Sequence, residues 1–148
     1  MAQTTVGTSF KDAKIETSTN GTTWTDISGF ATSVDLDGGD RQTSEAYTFD
    51  GDTAIITKGK REPIEVTVSI VYSEGVSDPQ ASVVSAYEAG TDLYVRWTPK
   101  GATTGNKNYT GKGTVTTNPY PKGEADGGDT LLTEFTLITP AITVGTAA

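Results

Sequence analysis

Residues 58–72 read KGKREPIEVTVSIVY, and the second half of that run decides the fold class. Ile64, Val66, Val68, Ile70 and Tyr72 alternate with Glu65, Thr67 and Ser69, and Val71 is the single exception. Side chains alternate across a strand with a period of two, whereas a helix brings apolar residues round every three or four positions. The run therefore predicts a long, half-buried antiparallel strand. Pro63 has no N–H to give to a ladder, so it marks the start of that strand or an exposed edge. A strand of this length needs partners along its whole apolar face, and the flanking sequence is built to supply them.

Upstream, residues 13–18 and 22–27 flank Asn20-Gly21, a strong hairpin signal, with Ile15, Trp24 and Ile27 as expected core residues. Residues 31–36 read as a third strand after the break at Gly29. A polar loop, DGGDRQTS, fills residues 37–44, and residues 45–49 and 53–57 read as short strands turned at Asp50-Gly51-Asp52. In this extended hairpin of residues 37–61, the carboxylates of Asp37, Asp40, Glu45, Asp50 and Asp52 face a lone Arg41, and Lys58, Lys60 and Arg61 follow. An acidic patch followed by a basic one suits head-to-tail pairing with a second copy. On composition alone a solvated loop that keeps the protein soluble is the favoured reading.

Downstream, residues 79–89 predict one helix, with Asp78 as N-cap, Pro79 at its first position and Gly90 closing it. Val83, Val84 and Tyr87 give it one apolar stripe to lay on the sheet. Leu93, Val95 and Trp97 mark the next strand, ended by Pro99. A loop over 100–108, a weak glycine-bearing strand over 109–118 and a polar loop over 119–129 follow. Residues 130–139 form a strong strand with two partly apolar faces, one for the core and one for something else to cover. Residues 1–9 and 140–148 carry no periodicity and are expected to be flexible arms. The whole chain, residues 1–148, reads as one mainly β domain. Its expected form is an antiparallel sandwich or partly closed barrel of about eight strands with one flanking helix.

Composition narrows the function. The chain of 148 residues has no cysteine and no histidine, which removes disulfides, thiolate metal sites and Ser-His-Asp or Cys-His catalysis. A net charge of −8 argues against wrapping phosphate backbones, which needs clustered Lys and Arg, but permits DNA to slide past without sticking. No phosphate-cradling glycine loop precedes a helix. The carboxylates cluster in turns, where Asp is favoured for bonding its own backbone. Asp35, Asp37 and Asp40 resemble the start of a calcium loop, yet Asp40 stands where that loop needs Gly and Ala46 where it needs Glu. The expectation is no enzyme, no metal and no cofactor. No apolar stretch approaches the ~20 residues that span a bilayer, so no membrane insertion is expected. No basic region followed by an apolar run opens the chain, so folding in a cytoplasm is expected.

Arg41-Gln42-Thr43, Ala46-Tyr47-Thr48-Phe49-Asp50-Gly51-Asp52, Lys58-Gly59-Lys60-Arg61-Glu62 and Val71-Tyr72-Ser73-Glu74-Gly75 resemble major tail proteins of long-tailed, non-contractile bacteriophages, the tail tube subunits. The order of elements is similar too, over about residues 13–139. The resemblance implies a structural virion protein whose hexameric rings stack into a hollow tube that conducts DNA into the host. It would be assembled in the bacterial cytoplasm and end in the virion tail. Its implied partners are further copies of itself and tape-measure, tail-terminator and tail-tip proteins, with DNA passing through the lumen unbound. In such a ring Glu65, Thr67 and Ser69 would face the lumen. The inter-ring contact would use Asp37, Asp40, Arg41, Glu45, Asp50, Asp52, Lys58, Lys60 and Arg61. Two other readings compete. One is a monomeric carbohydrate-binding or adhesin-like sandwich that stacks sugars on Trp24, Trp97 and tyrosines. The other is a tube protein of a contractile tail or type VI-like system.

Overall fold

A computed structural model describes residues 2–125 and 127–148. The organising run forms β6 (Ile64–Val71), which begins directly after Pro63. Around it stand β1 (Lys14–Ser18), β2 (Thr25–Asp26), β3 (Ala31–Gly38), β7 (Asp92–Thr98), β8 (Lys107–Val115), β9 (Leu132–Thr139) and β10 (Thr143–Thr146). These make one 8-stranded antiparallel sheet in the order β2-β1-β7-β8-β9-β6-β3, with β10 joined to β8. A separate ribbon holds β4 (Arg41–Ala46) and β5 (Ile55–Arg61). The one α-helix among the described residues, α1, spans Pro79–Ala89, with Gly90 left-handed at φ 70° as expected. Asp78 holds the N-cap position without a capping bond and accepts from Gly75 N–H (3.1 Å) instead. Among the described residues the sheet does not close, and β3 is left with a free edge along its length.

Alternation builds the core. Val66, Val68 and Ile70 of β6 face Phe135 and Leu137 of β9, Leu93 and Val95 of β7, and Ile27, all of them buried. The sheet can fold over this core because β8 carries Gly111 and Gly113 where β9 crosses it. A Cβ on Gly113 would overlap the carbonyl of Ile138, and one on Gly111 would lie 3.2 Å from Ile142. After pairing with β7, β8 joins β9 only through Thr114 opposite Ile138 and Val115 opposite Leu137. Val83 and Ala86 of α1 enter the same core. Buried Gln80 fastens the helix, donating to Pro119 O (2.8 Å) and accepting from Thr133 Oγ1 (2.8 Å).

The structure corrects several boundaries. Trp24 is not in the core. Two-residue β2 turns Ile27 inward and leaves Trp24 half-buried on the outer face, under the Arg96 guanidinium at 4.1 Å. β4 starts at Arg41, inside the expected polar loop, and residues 47–54 form the turn of the ribbon. Both ribbon strands are exposed throughout, so no apolar alternation announced them. The tail is a free arm only in part. β10 ladders onto Lys107–Thr110 of β8, and Ala147 N–H donates to Asn106 O (2.7 Å), contacts of small residues that leave no periodic trace. Residues 2–9 hold no strand or helix and lead into a 3-10 turn at Phe10–Asp12. No helix among the described residues is long and apolar enough to cross a membrane.

Candidate assembly surfaces

The first surface is the outer face of β3, β6 and β9. Strand register sets its rows: Asp37 beside Glu65 and then Ile138, Asp35 beside Thr67 and then Thr136, and Ser33 beside Ser69 and then Glu134. Glu65 is exposed and Thr67 half-buried, its hydroxyl 2.9 Å from that of Thr136. Ser69 is buried and donates to Glu134 Oε1 at 3.1 Å. Of the residues expected to line a lumen, Glu65 and Thr67 therefore stand open on this face, while Ser69 lies beneath Glu134. Asp35, Asp37 and Glu134 join them, and no Lys or Arg shares these rows. Like charges on directly opposed residues destabilise a sheet, so Asp37 against Glu65 is a cost in the lone chain. Leu132 and Ile138, on the β9 face that the sequence left for something else to cover, are partly open.

The second surface is the ribbon. Gly38 and Gly39 (φ 78° and 79°) turn the chain out of the main sheet, and a Cβ on Gly38 would lie 2.6 Å from Pro63 O. Gly39 N–H donates to Pro63 O (3.0 Å) and Glu62 N–H to Asp40 O (2.9 Å), which holds the root in place. The register sets Arg41 opposite Arg61, Thr43 opposite Lys58 and Glu45 opposite Ile56. Arg41 donates to Gly59 O at 3.2 Å across a bulge. The expected inter-ring residues thus divide. Arg41, Lys58, Lys60 and Arg61 gather toward the root, Glu45 sits midway, and Asp50 and Asp52 occupy the turn at the tip. Asp40 lies in the corner at the root, and Asp37 belongs to the sheet face beside Glu65. None of these charges forms an ion pair among the described residues.

Sequence reasoning passed over the ribbon's apolar side chains. Tyr47, Ile55 and Ile56 are more than half exposed and Phe49 fully so. The signal was present: four large apolar residues flank a turn without a helical or strand period tying them to the core. Both tryptophans are already engaged. Trp24 carries Arg96 on its face and the Tyr94 ring at its edge, and Arg96 also pairs with buried Glu16 at 3.0 Å. Trp97 is buried, with its ring stacked on Tyr109.

No family model matches the chain, and no curated protein sequence matches it either. Solved structures do resemble it. A chain from the tail of an empty gene transfer agent particle, determined with C6 symmetry, superimposes with a TM-score of 0.65 at 12% identity, over 99% of this chain and 100% of that one. A chain of the sheath–tube complex of the extracellular contractile injection system PVC, in its extended state, gives 0.63 at 11% identity, over 97% and 94%. A chain of the anti-feeding prophage tube-terminating cap gives 0.57 at 16% identity, over 99% and 96%. At such identities the likeness is one of fold. From end to end this chain is similar in fold to chains of a gene transfer agent tail and of an injection-system sheath–tube complex.

Proposed function

We propose that the protein is a tail tube subunit, a structural protein whose copies close into rings that stack around a channel for DNA. The observation that carries this reading is the whole-length fold likeness to chains from tail and tube assemblies, with nearly all of both chains covered. The surfaces fit the role. The free edge of β3 offers a row of unpaired backbone groups, a liability in a monomer that becomes the joint in a closed ring. Glu65 and Thr67, with Asp35, Asp37 and Glu134 beside them, give a face that repels phosphate and lets DNA pass unheld. The ribbon of β4 and β5 serves as the contact between rings, since it projects from the sheet with charges that no group of its own chain pairs among the described residues. Tape-measure, terminator and tip proteins would set the length and ends of the tube, assembled in the host cytoplasm into a virion tail.

A tube inside a contractile sheath is the second reading, favoured by the likeness to the PVC complex. Pull-down of a sheath protein by assembled tubes separates it from the non-contractile case. The primary test is negative-stain electron microscopy of the purified protein, fresh and after concentration. Hollow tubes with a regular axial repeat are expected. Small single particles at every concentration, also after addition of a preformed tail tip, would count against the assignment.

A further inference from the structure

The ribbon tip carries a charge and an apolar surface that the chain itself leaves unmatched. From Glu45 to Thr57 there is no Lys or Arg, while Glu45, Asp50 and Asp52 supply negative charge beside Tyr47, Phe49, Ile55 and Ile56. A matching surface lies elsewhere on the molecule. Residues 7–12 and the β7–β8 loop border two adjoining, shallow hollows that share Thr8, Lys100 and Asn106. Lys11, Lys100 and Lys107 line them, all exposed and in no ion pair among the described residues, with Asp12 the one carboxylate present. Pro99 and Tyr109 form the floor, and Val144, the register partner of Tyr109, is exposed alongside.

This groove is built rather than loose. Asn106 donates from its side chain to Gly101 O (3.0 Å), and Gly105 N–H donates to Ala147 O (3.0 Å). Gly101 is left-handed (φ 91°), and a Cβ there would stand 3.1 Å from Asp12 O. On a chain with a net charge of −8, this lysine cluster, like the one at the ribbon root, is basic against the overall balance and suits an anionic partner.

We propose that the ribbon tip of one copy docks in the lysine-lined groove of a second copy. The proposal rests on the reading that copies of this chain assemble, and names the surface that receives the ribbon. Tip and groove are different patches of one chain, so the contact is heterologous and propagates from copy to copy. A turn of this size is a fraction of the 20–30 residues per side that a stable interface uses, so a single docking is weak. Strength comes from many such contacts acting at once in an assembled ring.

Because the chain has no cysteine, disulfide trapping is clean. A Thr48→Cys variant is mixed with a Thr103→Cys variant at high concentration under mild oxidation, with Thr48→Cys plus Ser85→Cys, on the exposed face of α1, as control. The tip–groove pair should give the heterodimer in at least about tenfold excess over the control. Adding Lys100→Glu and Lys107→Glu to the groove partner should remove that excess, and adding Asp50→Lys and Asp52→Lys to the tip partner should then restore it, as expected for complementary charge. No excess, or an excess indifferent to these reversals, overturns the proposal. Microscopy of the same samples separates the two readings. Tubes without tip–groove trapping sink the docking and leave the tube standing. Trapping in short oligomers that never form tubes does the reverse.

Discussion

Gly113 shows how one residue sets the shape of the sheet. A methyl group there would meet the carbonyl of Ile138, at the place where β8 hands over from β7 to β9. Gly113→Ala should therefore cost about 3 kcal/mol or more, as overpacking against immobile backbone does. Gly29→Ala, where nothing lies within 4 Å, should stay within about 0.5 kcal/mol by urea denaturation. Asp26 offers a pH test at the same scale. Burial works to raise its pKa, but hydrogen bonds from Ser28 Oγ (2.6 Å) and Ser28 N–H (2.9 Å), with the charge of Lys14, outweigh burial and hold it below the ordinary carboxylate range. A depressed folded-state pKa stabilises above the unfolded value and is lost as pH falls through the folded one. The stability gap between wild type and Asp26→Asn should stay level from neutral pH down to about 5 and shrink below about 4, near the ordinary carboxylate value. A gap that widens in acid would contradict this. Gly113 was visible in sequence only as a weakness of its strand, because the carbonyl it must accommodate comes from residue 138.

At the scale of elements, legibility followed burial. β6, β7 and β9 each bury one face, so their period of two stands in the sequence. α1 is marked by Pro79 and Gly90 at its ends and buries Val83 and Ala86 rather than the expected Val83, Val84 and Tyr87. The observed bounds of all four lie within about two residues of the expected ones. β4, β5 and β10 bury no face, and their positions follow from backbone ladders alone. The ribbon was recognised as a projecting hairpin through its turn residues and charges, but its strands sit farther from the turn than the turn chemistry suggested. Because Lys60 and Arg61 form no ion pair among the described residues, Lys60→Glu combined with Arg61→Glu should leave the melting curve within about 0.5 kcal/mol of wild type. The same double variant should form no tubes in the electron microscope. Normal tubes from it would remove the ribbon from the inter-ring contact.

On the scale of the whole molecule, charge is sorted rather than spread. Asp35, Asp37, Glu65 and Glu134 share the β3-β6-β9 face without a cation in their rows, while Arg41, Lys58, Lys60 and Arg61 gather at the ribbon root and Lys11, Lys100 and Lys107 beside the β7–β8 loop. If the acidic face lines a channel, replacing Asp35 and Glu65 by Lys should spare folding and tube formation while making the tubes retain DNA. Retention should fall with added salt, as it does when lysines neutralise phosphates. A filter-binding assay across a salt series reads this directly, and tubes that still ignore DNA at low salt would place the face elsewhere.

The sequence by itself determined the class of this protein: mainly antiparallel β, one capped helix, one projecting hairpin, and no residues for thiol or histidine chemistry. Those features are local, carried by alternation over a few residues, by caps and turns, and by the residue types present. Tertiary structure alone decided which carboxylates share a face, because Asp35, Glu65 and Glu134 come from strands far apart in the chain and meet only through register. It also decided that Ser69 lies under Glu134, that Trp24 is held by Arg96, and that Lys11 and Lys107 border one groove. Long-range pairing brings such groups together, and no period in the chain records it.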